Sequence, residues 1–97
     1  MEKSDKATFV ANISGMVQGV GFRYFAYREA LALGVEGYVK NLINGNVEVY
    51  AEGPRDQLER LIEILKQGPR FGEVDKVELE WRDYKGRYDT FFIETGY

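Results

Sequence analysis

Three glycines, Gly15, Gly19 and Gly21, fall between an apolar alternation that ends at Ile13 and a segment with helical spacing that begins at Phe22. Glycine reaches positive φ and allows close backbone approach, so such a strand-to-helix connection can turn successive N–H groups inward around an anion-sized hollow. The N-terminus of the following helix aims its partial positive charge at the same place. Arg23, in the first helical turn, adds a planar fork of donors that stays charged near neutral pH and suits two oxygens of one phosphate. Glycine-rich turns are common and most bind nothing, so Arg23 is what tilts the pattern toward an anion. The stretch matches neither G-x-x-x-x-G-K-[ST] nor G-x-G-x-x-G, which leaves nucleotide binding without support. The expected phosphoryl cradle is Gly15, Val17, Gln18, Gly19, Val20, Gly21 and Phe22, with Arg23 as its cation. Gln18 either contacts substrate or ties the loop together, and Lys40 is a solvated neighbour that adds positive potential.

The rest of the chain supplies the frame. Phe9, Ala11 and Ile13 alternate with Thr8, Val10 and Asn12, which predicts a strand over Ala7 to Ile13 with one buried face. Phe22, Ala26, Ala30 and Leu33 form the apolar stripe of a helix that Gly34 stops. Glu36 to Leu42 and Asn46 to Glu52 read as a hairpin through Asn44-Gly45, a dipeptide suited to a type I′ turn, with Glu48, Tyr50 and Glu52 on a largely wet face. Leu58, Leu61, Ile62 and Leu65 mark a second helix between Pro54 and Gly68-Pro69. Val77, Leu79 and Trp81 alternate in a fourth strand, and a polar turn containing Gly86 precedes a short last strand around Thr90 to Thr95. The fold class is therefore α+β: a ferredoxin-like split βαβ, β-α-β-β-α-β plus a short fifth strand, with an antiparallel-rich sheet and two helices on one face. Residues 1–6 are expected to fray, and residues 7–97 to form a single domain. In this topology the third strand lies between the first and second, which run parallel. Asn41, at the end of the second strand, then comes beside the glycine loop.

Composition narrows the chemistry. The 97 residues carry a formal charge of −3, which argues against a nucleic-acid or anionic-membrane partner. There is no cysteine and no histidine, so thiolate nucleophiles, disulfides and the usual zinc sites are excluded. The N-terminus lacks a signal-peptide core and no apolar run approaches bilayer length, so the expected setting is the cytoplasm. No metal or cofactor is expected, and the expected partner is a small molecule bound by a monomer.

Gly15-Met16-Val17-Gln18-Gly19-Val20-Gly21-Phe22-Arg23, then Gly37-Tyr38-Val39-Lys40-Asn41-Leu42-Ile43-Asn44-Gly45-Asn46-Val47 ending at Gly53, resembles the two signatures of the acylphosphatases. The resemblance spans essentially the whole chain from first strand to last. It implies hydrolysis of acyl phosphates to a carboxylate and inorganic phosphate without metal or cofactor, phosphate being product and inhibitor. Arg23 matches the family's phosphate-binding arginine and Asn41 its water-orienting asparagine. Met16 departs from the basic residue that typical members carry. Three alternatives stand beside this reading. A split-βαβ ligand-binding or regulatory module would bind without turnover. An RNA-binding sheet is disfavoured, because Val47-Glu48-Val49-Tyr50-Ala51-Glu52 lacks the basic and multi-aromatic pattern such sheets use. A domain of a larger hydrogenase-type maturation factor is disfavoured by the initiator Met and polar head. A short turn is further expected to send the last strand back toward the loop's edge, carrying the Tyr97 carboxylate there either to pair with Arg23 or to order the loop.

Overall fold

The structure, a computed structural model, describes residues 5–95. In chain order its elements are β1 (Lys6–Met16), α1 (Phe22–Leu33), β2 (Glu36–Asn41), β3 (Val47–Pro54), α2 (Arg55–Gln67), β4 (Glu73–Arg82) and β5 (Phe91–Glu94). The strands form one sheet in the order β4-β1-β3-β2-β5. β3 is antiparallel to β1 and β2, β4 is antiparallel to β1, and β5 runs parallel to β2. This is the split-βαβ, ferredoxin-like sheet that the sequence predicts. β1 and β2 point the same way, so their last residues, Met16 and Asn41, share one end of the sheet.

Both helices pack on one face, α1 over β2 and β5 and α2 over β1, β3 and β4, and they touch each other. Phe9, Ala11 and Ile13 from β1 and Val47, Val49 and Ala51 from β3 meet Phe22, Ala26 and Ala30 from α1 and Leu58, Leu61 and Leu65 from α2 in one continuous core. Burying a large side chain here contributes roughly 1.5–3 kcal/mol. The stripe and the alternation therefore fix which way the loop between β1 and α1 faces.

Four expectations need correction. The β2–β3 turn is not type I′: Gly45 has φ 97°, but among the described residues none other than glycine has positive φ, so Asn44 does not supply the second left-handed position. Gly45 N–H donates to Leu42 O and Leu42 N–H to Asn46 O, which makes a three-residue loop with Gly45 as the bulge. At the head, residues 1–4 lie outside the described residues, whereas Lys6 already belongs to β1 and Asp5 O accepts from Arg55 N–H at 2.8 Å. The last strand is not reached by a short turn either; residues 83–90 cross the open face of the sheet to the far edge, where β5 pairs with β2.

That crossing overturns the fourth expectation, a wet face on β3. Tyr50 is 7% exposed and Glu52 0%. The Tyr88 ring lies edge-on to Tyr38 and Tyr50, at 5.9 and 5.3 Å between centroids, and its backbone N–H donates to Glu52 Oε2 at 2.9 Å. The Thr8 and Tyr50 hydroxyls donate to Glu52 Oε1, each at 3.4 Å. Tyr38 stacks on Tyr50 and donates to Glu48 Oε2 at 2.6 Å; burial first, then the Glu48 carboxylate, hold its hydroxyl well above the usual tyrosine range, so it stays a donor. Glu52→Ala would strip the acceptor from the Tyr88 amide and two hydroxyls, and is expected to cost about 2–3 kcal/mol. A urea midpoint equal to that of the parent would show that the carboxylate does not hold the strap.

Candidate active site

β1 pairs with β4 to its end, Met16 opposite Glu73, with a register shift between Ser14 and Gly15. Gly15 therefore lies in the strand, one step before the loop. A Cβ there would stand 2.3 Å from Glu73 O and 2.7 Å from Asp75 N, so the approach of β4 is what demands glycine. Gly15, expected in the cradle, lies within β1 at the start of the loop. Val17, 1% exposed, anchors the loop in the core.

Gly19 and Gly21 have φ of 76° and 80° with open space where a Cβ would stand, so conformation alone requires glycine there. Gly21 caps α1 without any side-chain hydrogen bond, and the first turn of α1 holds no acidic residue. Among the described residues the amides of residues 18–22 donate to no protein acceptor. The loop and helix start thus present a run of unsatisfied donors, which is what an anion needs. Phe22 points the other way, 1% exposed in the core.

Gln18 settles the position of the second element. Its Nε2 donates to Leu42 O and to Asn46 O, both at 2.8 Å, so both amide hydrogens tie the loop to the β2–β3 turn. Of the two roles open to Gln18, the structure supports the tie. Asn46 is held in its own right, its Nδ2 donating to Asn12 Oδ1 at 2.7 Å and its N–H to Asn44 Oδ1 at 3.0 Å. Asn41 sits immediately before Leu42 and is clamped beside the glycine loop by this network.

The two functional candidates are left with unused hydrogen-bonding capacity. Asn41 Oδ1 is buried and has no hydrogen-bond partner among the described residues. A buried acceptor without a partner costs about 1–3 kcal/mol, so a native chain keeps one where a ligand or water completes it. Arg23 is half-buried and makes no ion pair or hydrogen bond among the described residues. Lys40 does not join them: its Nζ lies 3.9 Å from Glu48 Oε2 and 5.6 Å from the Tyr38 ring centroid, on the open face. Among the described residues no cluster of three or more His, Cys, Asp or Glu side chains could hold a metal. The donors of the loop and the helix start suit the small, fully charged end of a ligand.

Sequence reasoning missed Asn12 and Asn46 as supports. Asn46 falls inside the second signature, but Asn12 reads only as the polar half of a strand alternation. β5 runs parallel to β2 toward the cradle end of the sheet, as expected, but Tyr97 itself lies outside the described residues.

The acylphosphatase family profile matches residues 9–93. An acylphosphatase of Caldanaerobacter subterraneus subsp. tengcongensis is 48% identical over 91% of this chain and 98% of its own length. One from Thermus thermophilus is 52% identical over 79% of this chain and 88% of its own. The crystal structure of acylphosphatase from Bacillus subtilis superposes with a TM-score of 0.88 at 35% identity, covering 91% of this chain and 98% of that one. No helix among the described residues is long and apolar enough to cross a membrane.

Proposed function

This chain belongs to the acylphosphatase family and hydrolyses acyl phosphates to a carboxylate and inorganic phosphate, and on that premise we propose how its own residues carry the reaction. The amides of Val17, Gln18, Gly19, Val20, Gly21 and Phe22, with the Arg23 guanidinium, bind the phosphoryl oxygens. The Asn41 carboxamide holds the attacking water. The observation that carries this assignment is the buried, unpartnered Asn41 Oδ1 on a strand end that Gln18 straps to the donor-rich loop.

An acyl phosphate is a mixed anhydride whose leaving carboxylate needs little protonation, so a chain without histidine is equal to the task. As the bridging bond loosens, negative charge spreads over the three non-bridging oxygens. Fixed N–H dipoles and a guanidinium stabilise that charge where it develops, with no reorganisation at the moment of reaction. Water attacks phosphorus in line as the carboxylate departs. An amide accepts from the water through Oδ1 without acting as a base, and the substrate phosphate itself takes the water's proton.

The same reading makes the protein a monomeric cytoplasmic enzyme, inhibited by inorganic phosphate, without nucleic-acid or membrane partners; the net charge of −3 supports the last point. Phosphate release from benzoyl phosphate in the presence of excess EDTA tests the proposal. Undiminished turnover is expected; turnover that EDTA abolishes and a divalent cation restores would overturn the metal-free assignment. Binding of phosphate without any turnover would favour the regulatory module instead.

A further inference from the structure

Large apolar side chains are exposed at the cradle end of the sheet in a pattern that phosphate recognition leaves unused. Met16 is 60% exposed and Phe71 76%. Both lie beside the loop: Met16 is the last residue of β1, and a Cβ on Gly72 would meet Met16 O, Val20 Cγ2 and Pro69 Cγ at 3.1, 3.1 and 3.2 Å. The turn that carries Phe71, closed by Gly72 N–H donating to Pro69 O, is therefore packed against the loop itself. Across the end of the sheet, β2 and Asn41 stand two strands away from β1, about 10 Å at ordinary strand spacing.

We infer that Met16 and Phe71, with the edge of Val20, form the acyl subsite, and that the enzyme favours acyl phosphates with apolar acyl groups over short or anionic ones. The inference rests on the assignment of the water to Asn41. In-line displacement places the nucleophile and the leaving group on opposite sides of phosphorus. With water on the β2 side, the departing carboxylate and its substituent extend toward β1 and β4, where these side chains are. Large apolar groups exposed on one side of a binding site are among the features that mark a ligand groove. Charge points the same way: Glu73 stands opposite Met16 in the β1–β4 register and disfavours a second anionic group. Ile43, 88% exposed in the turn after Asn41, lies on the water side and takes no part.

The test compares kcat/KM for octanoyl, acetyl and succinyl phosphates, octanoyl below its micellar concentration, in the parent and in Phe71→Ser, Met16→Ser and Ile43→Ser. The parent is expected to prefer octanoyl to acetyl phosphate by at least about tenfold, since each methylene removed from water contributes a few-fold. Phe71→Ser and Met16→Ser should each cut that ratio about fivefold with acetyl phosphate turnover retained. Ile43→Ser should leave the ratio unchanged. Equal rates for octanoyl and acetyl phosphate would overturn the inference while leaving the phosphoryl assignment standing. So would an Ile43→Ser effect as large as that of Phe71→Ser. The Arg70 guanidinium lies 5.9 Å from the Phe71 ring, so a preference for succinyl phosphate that Arg70→Ala removes would give the acyl end to that cation and overturn it too. Full activity in Asn41→Ala would instead remove the premise beneath it.

Discussion

Arg23→Ala is expected to lower kcat/KM for benzoyl phosphate by about 10³-fold or more, and to weaken competitive inhibition by inorganic phosphate in the same variant. Arg23 is the one side-chain cation assigned to the phosphoryl group, and no ion pair among the described residues would lose its partner with it. The loss is therefore charge and geometry at the substrate, not stability. A guanidinium offers two parallel donors to two oxygens, and an arginine placed on a transferring phosphoryl group is worth about 10³–10⁵ in rate in other phosphoryl-transfer enzymes. Arg23→Lys keeps a cation but not the fork, and should recover only part of the loss. Activity near that of the parent in the alanine variant would mean that the loop amides suffice and that Arg23 has another role.

Asn41→Ala should separate binding from chemistry. Loss of one positioned group predicts a fall in kcat of about 10²-fold, with the inhibition constant for phosphate nearly unchanged. Stability gives an independent readout. Oδ1 of Asn41 is buried without a partner among the described residues, so its removal deletes an unsatisfied acceptor. The melting temperature should stay level or rise, as it does when a site held ready for substrate is traded for packing. A merely structural asparagine, capping the end of β2, would show the opposite: a lower melting temperature with kcat retained.

The frame of the site was legible in the sequence because periodicity and topology suffice for it. Alternating apolar residues in β1 and β3 and the helical stripes of α1 and α2 decide the layers, and the order of elements places the ends of β1 and β2 together. That brings Arg23 and Asn41 to one end with no side-chain detail. Contacts that depend on register were not legible. Gly15 reads as part of a flexible loop, yet the approach of β4 holds it in a strand, and nothing local announces the bulge at Ser14 and Gly15. Asn44-Gly45 names a hairpin turn but not its type, since the choice depends on the φ of Asn44. Glu52 reads as solvated because alternation assigns a face without saying what later crosses it; the covering strap lies more than thirty residues downstream. Gln18 could have been a substrate contact or a tie, and only the positions of Leu42 O and Asn46 O decide it.

These contacts also hold the proposed site in place. Gln18 uses both amide hydrogens on the β2–β3 turn, Asn46 reaches across to Asn12, and β4 packs against Gly15. The cradle and Asn41 are thus held from three sides before any substrate arrives. Preorganisation of this kind is what electrostatic stabilisation of a developing phosphoryl charge requires.

Orthovanadate adopts the trigonal-bipyramidal arrangement of an in-line phosphoryl transfer, so a crystal structure of its complex tests the assignment most directly. The expected result has equatorial oxygens within hydrogen-bond distance of the residue 17–22 amides and the Arg23 guanidinium, and an apical oxygen on the Asn41 carboxamide. Vanadate bound elsewhere, or an Asn41 side chain turned away from the apical ligand, would contradict it.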